Sequence, residues 1–234
     1  MLRTARHAFC CPFRMMIIIM PVCYIIAAGD CEKICIQKNE NNIIIAADGG
    51  LKYCERDGII PDIVLGDFDS LGFVPENDNV LVLPVEKDDT DTSFAVKHAM
   101  EKGYNTFVIF GGTGGKRGDH TYANIALLAY ISKCGCTGFL DCGDYCITSV
   151  TDSQISFPEY MKGDISVFSF DNEAKGVRET GLYYSFDNED IKNSDIKGVS
   201  NSFTGQKSTV SVREGTLIIY FSGKFSDCTI DKLN

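Results

Sequence analysis

The chain has 234 residues, 44% hydrophobic and 23% charged, the balance of a globular protein of one or two domains that buries its own core. That composition excludes extensive disorder, collagen and coiled coil. The formal charge of −10 repels phosphate backbones and argues against nonspecific nucleic-acid binding, while a nucleotide carried with Mg²⁺ stays compatible because the ion inverts the local balance.

Arg3, Arg6 and Arg14 precede an apolar run from Met15 to Ala28, an imitation of a secretory signal. Pro21 interrupts the run, which is too short to span a bilayer, and 22–28 reads as a buried strand. Residues 1–20 are therefore expected to be a non-native or disordered extension, with Met15, Met16 and Met20 as alternative starts, ahead of a cytoplasmic chain with no membrane partner. Strands are expected at 22–28, 43–47, 62–65, 80–83, 106–110 and 138–141, with amphipathic segments at 31–39, 50–57, 91–102 and 119–133. Strands alternating with helices predict a doubly wound, mostly parallel α/β sheet. After Cys146 the texture becomes strand and turn only: 146–150, 154–157, 164–170, 175–185, 208–212 and 216–222. This predicts an all-β sandwich of about 85 residues. The boundary is expected within 143–152, giving one unit over 21–147 and a second over 148–234.

Eleven cysteines lie scattered among apolar runs, as at Cys23, Cys35 and Cys54. They read as buried free thiols in a reducing compartment. Cys134, Cys136, Cys142 and Cys146 are dense enough to raise a zinc or iron–sulfur site. Their spacing matches no standard ribbon, and a strand at 138–141 would splay them, so thiols packed around a strand are expected.

Nine aspartates fall between positions 48 and 91, and their placement matters more than their number. Asp48 follows the strand 43–47 in Ala-Asp-Gly-Gly. Asp67 and Asp69 follow 63–65 in Gly-Asp-Phe-Asp-Ser. Asp88, Asp89 and Asp91 follow 80–83 in Lys-Asp-Asp-Thr-Asp. In a parallel sheet, carboxyl ends share one edge, where such folds bind ligands. Carboxylates converging there repel one another unless a cation neutralises them, and a hard ion such as Mg²⁺ bound with a phosphate substrate suits oxygen donors. If 67–69 is extended, Asp67 and Asp69 share one side and Phe68 takes the other.

A second constellation, Gly-Gly-Thr-Gly-Gly-Lys-Arg-Gly-Asp-His at 111–120, joins the strand 106–110 to a helix. Glycines let backbone N–H groups approach phosphate, and a helix N-terminus favours anions. Lys116 and Arg117 add charge, Arg117 with a fork able to grip phosphate bidentately. Asp119 is expected to cap the helix unless it serves the cleft, and Asn124 lies one turn further on. The sequence of this turn is neither a Walker loop nor a dinucleotide fingerprint.

Taken together, Ala-Asp-Gly-Gly at 47–50, Pro-Asp-Ile-Val-Leu-Gly-Asp-Phe-Asp-Ser at 61–70, Lys-Asp-Asp-Thr-Asp at 87–91 and the Gly-rich motif through Asn124 resemble the thiamine pyrophosphokinase family in order and spacing. Gly181-Leu182-Tyr183-Tyr184 and Gly198-Val199-Ser200-Asn201-Ser202-Phe203 extend the resemblance to the C-terminal part, so that it covers about 22–222. It implies an α/β catalytic, ATP-binding domain followed by a thiamine-binding sandwich, in a homodimer that holds thiamine between one subunit's catalytic domain and the other's sandwich. The implied reaction is Mg²⁺-dependent transfer of pyrophosphate from ATP to the thiamine hydroxyl, releasing AMP. Asp48, Asp67, Asp69 and Asp91 would position Mg²⁺ and the triphosphate and, with Arg117, carry catalysis. Asp69 or Asp91 would accept the hydroxyl proton. Gly49, Gly111, Gly112, Gly114, Arg117, Asp119 and Asn124 would border ATP. Lys87, Thr90, Asp119, Ser200, Asn201 and Phe203 would meet thiamine. Tyr183 stands where Lys is common in that family, Phe203 where some members have a larger aromatic, and the chain has no Trp.

Two other readings compete. A dinucleotide-dependent oxidoreductase would need Gly-x-Gly-x-x-Gly after the first strand, where this chain has Ala28-Gly29-Asp30-Cys31. A noncatalytic thiamine or nucleotide sensor on the same fold would bind ligand without releasing AMP.

Overall fold

The computed structural model describes residues 21–36, 38–68, 72, 74, 75, 79–84, 86 and 88–233. The expectations on residues 1–20, Asp69 and Lys87 lie outside them. In chain order the first half runs β1 (Val22–Ile26), β2 (Ile43–Ala47), α1 (Leu51–Asp57), β3 (Ile63–Gly66), β4 (Val80–Val82), α2 (Asp91–Glu101), β5 (Thr106–Phe110), α3 (Gly118–Lys133) and β6 (Thr137–Asp141). The central strands are apolar on both faces, as strands covered on both sides must be. In β1, Cys23 and Ile25 face a core shared with Ala95 and Val96 of α2 and with Leu127 and Leu128 of α3. Tyr24 and Ile26 face the opposite core, with Leu51 and Cys54 of α1. Each fully buried Ile in these layers contributes about 1.5–3 kcal/mol.

The six strands pair in parallel in the order β4-β3-β2-β1-β5-β6. From β1 the chain moves outward through β2, β3 and β4, then returns to place β5 on the other side of β1. That reversal opens a crevice between the loops that leave β1 and β5. Here the loops are laced together. The amides of Ala27, Gly29 and Asp30 donate to the carbonyls of Phe110, Gly111 and Thr113 at 2.8 Å each. A Cβ on Gly29 would stand 2.4 Å from the Thr113 carbonyl oxygen, so only glycine permits this approach.

The second half comprises β7 (Tyr145–Thr151), β8 (Ser153–Phe157), β9 (Asp164–Ser169), β10 (Glu173–Thr180), β11 (Asp187–Lys192), β12 (Asn201–Ser202), β13 (Ser208–Ser211), β14 (Thr216–Ser222) and β15 (Thr229–Lys232). It forms the all-β sandwich that the turn-rich texture predicts. One of its two sheets continues the first. Strand β7 joins β6 antiparallel, and the ladder runs on through β14 and β9 to β12, giving ten strands in one sheet. The other sheet, β11-β10-β13-β8-β15, is antiparallel throughout. Phe157 of β8 packs edge-on against Phe221 of β14 across the sandwich at 5.1 Å.

Some expected elements differ. Residues 31–36 form no helix. Their polar backbone groups are taken by α1: Arg56 donates to the carbonyls of Cys31 and Glu32, and the Ile34 amide donates to Asp57. The run expected over 175–185 ends at Thr180, because Gly181 turns the chain at φ 70°. Strands β11, β12 and β15 were not expected. In β11 only Ile191 is buried, so its sequence lacks the alternation that marks a half-buried strand. No helix among the described residues is long and apolar enough to cross a membrane.

Cys134 is exposed, Cys136 and Cys142 are half-buried, and Cys146 is buried on β7. Burial pushes the Cys146 thiol far above its ordinary range, making it a poor thiolate and a poor ligand. Among the described residues no three His, Cys, Asp or Glu side chains are grouped so as to hold a metal.

Candidate active site

A cavity of about 620 Å³ opens at the carboxyl edge of the parallel strands. Every strand from β1 to β5 contributes to it. Ala27, Ala28 and Gly29 come from the loop after β1, Asp48 from the end of β2, and Asp67 from the end of β3. Asp89, Thr90, Asp91 and Thr92 lead from β4 into α2, and Gly111–Arg117 follow β5. His120, Thr121 and Asn124 of α3 close the wall.

Asp48, Asp67 and Asp91 thus face one volume from three strand ends. Asp48 begins a single 3-10 turn, 48–50, that leads into α1. Its φ of 46° is left-handed, a conformation that Asp adopts more readily than most non-glycine residues. Gly50 allows that turn to lie on β1, since a Cβ there would sit 1.9 Å from the Ile26 carbonyl oxygen. The Oδ1 atoms of Asp48 and Asp91 are withdrawn from solvent. Asp91 opens α2, where Thr90 caps the helix by accepting from the Ser93 amide at 3.1 Å.

Phe68 departs from the expected extended geometry. Phe68 is buried in the core below α1, but its φ of 59° turns the chain through the left-handed region. Strand alternation therefore ends at Phe68. The ring's burial is the stronger constraint, and the backbone bends to satisfy it.

Asp89 is paired with α2. Lys97 donates to both its oxygens at 2.7 and 2.8 Å, and Ser93 donates at 3.0 Å. Lys97 holds the carboxyl below its ordinary range. Its charge is thereby balanced within the chain, and it ties the β4–α2 loop to α2.

The Gly-rich turn faces these carboxylates with Lys116, Arg117 and His120. Asn124 is buried and donates to the Gly112 carbonyl at 2.7 Å, fixing the turn to α3. Arg117 occupies the cap position of α3, and its guanidinium forks onto Asp119 with bonds of 2.9 and 2.7 Å. The helix begins at Gly118, so Asp119 lies in its first turn and not at the cap, and Arg117 holds its carboxyl down to about 2. Gly49 is buried in the 3-10 turn behind Asp48.

Ser200, Asn201 and Phe203 do not line this cavity. Ser200 is exposed with φ 57°. Asn201 is buried between the sheets, and the Phe203 ring packs edge-on against Phe157 at 5.1 Å. Several lining residues carried no weight in the sequence, among them Ala28, Gly29, Thr92 and Thr121. The first pair had a signal: they end a strand at the same edge as the aspartates.

The lining chemistry fits a hard divalent cation. The acidic wall offers only oxygen donors from Asp48, Asp67 and Asp91, and the facing wall is cationic. Mg²⁺ takes one or two protein carboxylates together with substrate phosphates and water rather than a closed protein cage, so an arrangement short of a preformed cage still suits it.

Comparison with known proteins follows the same division of the chain. Residues 36–140 match the family model described as thiamin pyrophosphokinase, catalytic domain, and 152–217 match the thiamin pyrophosphokinase vitamin B1 binding domain. Thiamine pyrophosphokinase of Bacillus subtilis (strain 168) is 29% identical over 200 residues, covering 77% of this chain and 87% of that protein. A crystal structure of thiamine pyrophosphokinase from Bacillus subtilis superposes with a TM-score of 0.73 at 28% identity, covering 87% of this chain and all of the other (100%). The yeast thiamin pyrophosphokinase structure, at 13% identity and a TM-score of 0.68 over 89% of this chain and 87% of the other, shares the fold. Two adjoining family matches on one continuous fold, with a bacterial relative aligned along most of its length, place the chain in the thiamin pyrophosphokinase family.

Proposed function

We propose that this chain catalyses Mg²⁺-dependent transfer of pyrophosphate from ATP to the primary hydroxyl of thiamine, giving thiamine diphosphate and AMP. The observation that carries this reading is the single cavity in which Asp48, Asp67 and Asp91 face Lys116 and Arg117 across a glycine-rich floor. The hydroxyl oxygen bonds to the β-phosphorus, the bond from that phosphorus to the α–β bridging oxygen breaks, and AMP leaves with the bridging oxygen. The hydroxyl proton passes to a carboxylate, for which Asp91 and Asp69 are the candidates. Mg²⁺, when bound, supplies charge neutralisation on the phosphates. Asp48, Asp67 and Asp91 are the side chains that would hold it.

The residues' own work is positioning and electrostatics, which dominate phosphoryl-type transfers. Backbone amides of the 111–114 turn approach the triphosphate, and Asn124 keeps that turn in place through Gly112. Arg117 is to exchange its Asp119 partner for phosphate oxygens as charge builds. The acidic wall also suits a cationic thiazolium. The reading includes a cytoplasmic homodimer in which thiamine meets Ser200, Asn201 and Phe203 of a neighbouring subunit's sandwich, together with Thr90 and Lys87 of the catalytic half.

Incubation of the protein with ATP, Mg²⁺ and thiamine is expected to yield AMP and thiamine diphosphate in equal amounts. Binding of either substrate with no AMP release would instead make the chain a sensor.

A further inference from the structure

Glu179, near the end of β10, is 3% exposed and lies between the two sheets of the sandwich. Its Oε2 accepts from Asn201 Nδ2 at 3.0 Å, while its Oε1 is buried with no hydrogen-bond partner among the described residues. Such groups are rare in folded chains because nothing repays their desolvation.

What Glu179 touches gives it a role. Asn201 acts like a peptide group set beside the backbone of Tyr184: Nδ2 donates to the Tyr184 carbonyl at 2.9 Å and Oδ1 accepts from the Tyr184 amide at 2.9 Å. Oδ1 also accepts from the Ser202 amide. An asparagine amide can face either way, and its partners decide which. The backbone of Tyr184 and Ser202 sets that orientation, and Glu179, as a second acceptor on the Nδ2 side, holds the amide in it. The gripped segment, Gly181–Tyr184, turns at Gly181 (φ 70°) under the Lys207 carbonyl. It presents the exposed rings of Tyr183 and Tyr184, packed edge-on at 4.9 Å.

We propose that Glu179 is a positioning residue that, through Asn201, sets the Gly181–Tyr184 turn and with it an aromatic face for the cationic ring of the substrate. This rests on the reading of Ser200–Phe203 as the thiamine side of the sandwich. Exposed tyrosine faces attract an organic cation, and a turn held at both its amide and its carbonyl keeps them preorganised.

The electrical surroundings make the hold sensitive to pH. Burial pushes the Glu179 carboxyl up to about 7, and Glu189 on β11 adds to the rise. Glu189 is itself paired with Lys197 at 2.6 Å. Arg178 and Asp187 pair with each other on the solvent side at 3.0 Å. Lys207 precedes β13, and Asp164 begins β9 at the exposed end. Strand β12 brings only Asn201 and Ser202, both uncharged. Below neutrality Glu179 is protonated and the clamp is uncharged. Above it the bond from Asn201 favours the charged form, but burial outweighs that bond: a charged Oε1 with no donor among the described residues is sealed between the sheets, and the clamp loosens as the site opens to hydrate it.

The test is amide exchange at Tyr184 and Ser202 at pH 6 and pH 8, corrected for intrinsic rates, in wild type and Glu179→Gln, alongside thiamine and ATP kinetics over the same range. In wild type, Tyr184 protection is expected to fall at least about tenfold between the two pH values relative to amides of β13. The thiamine KM should rise several-fold while kcat and the ATP KM hold. Glu179→Gln should flatten both profiles. Equal protection of Tyr184 at both pH values in wild type overturns the proposal, and that series needs no variant. A turn that loosens without moving the thiamine KM also overturns it. Absence of any thiamine diphosphate from wild type would instead refute the functional reading, and exchange at Tyr184 would still decide whether Glu179 holds the turn.

Discussion

Asp48 shows how one residue can be read through both its backbone and its charge. Its left-handed φ is tolerated by Asn about as well as by Asp, so Asp48→Asn removes the charge and leaves the turn. Turnover should fall about 10²-fold or more, the scale of losing one preorganised electrostatic contact. The melting temperature should stay within a few degrees, by circular dichroism on the same preparation. Wild-type turnover would remove Asp48 from the mechanism. Glu179 makes a complementary prediction. Its carboxyl is raised in the folded chain from 4.5 to about 7, so the folded state holds a proton that the unfolded state releases. Stability is therefore unaffected by this group below about pH 4.5, falls as pH rises toward 7, and stays lowered above that. The full loss is about 3 kcal/mol, and urea melts of wild type and Glu179→Gln at pH 5 and pH 8 should show it in the wild type alone.

At the scale of elements, the strand ends were the legible part. Asp48, Asp67 and Asp91 could be placed at one edge because parallel strands share a direction, and that holds whatever their exact bounds. The Gly-rich turn was legible for the same reason. The fork of Arg117 on Asp119 and the grip of Lys97 on Asp89 were not, because both depend on how a loop lands on its helix. The helical segment expected over 31–39 does not form at 31–36 because side chains of α1 capture that backbone, a tertiary effect invisible in local periodicity. Strand β11 was missed because an edge strand with one buried residue carries no alternating pattern. Within this chain Asn201 and Phe203 touch Glu179, Tyr184 and Phe157, partners that only the fold brings near. The lacing of the β1 and β5 loops gives a prediction at this scale. Gly29→Ala drives a methyl into the carbonyls of Thr113 and Gly111 and should destabilise the chain by about 1–3 kcal/mol. It should also weaken ATP binding by parting the cavity floor. Calorimetric melting and nucleotide titration check the two effects, and an unchanged ATP affinity would mean that the lacing does not shape the site.

At the scale of the molecule, the sequence suggested two units with a boundary near 143–152, and their characters differ as expected, one α/β and one all-β. The sheet does not stop between them. Residues Leu140 and Ile147 are paired across β6 and β7, and Phe225 packs on both Tyr24 and Phe139. A core common to both halves predicts cooperative unfolding. Differential scanning calorimetry should give one transition, with the calorimetric and van't Hoff enthalpies in agreement. Two separated peaks would show the halves to be energetically independent.

The unbroken ladder from β12 to β4 also limits how the enzyme can move. Jaw-like opening about a hinge between the halves would tear main-chain bonds along β6 and β7, a far larger penalty than nucleotide exchange requires. Admission and release are thereby left to short, exposed rims such as 116–118, where a few torsions suffice, so the turnover cycle should be gated by local rearrangement over the laced 111–115 floor.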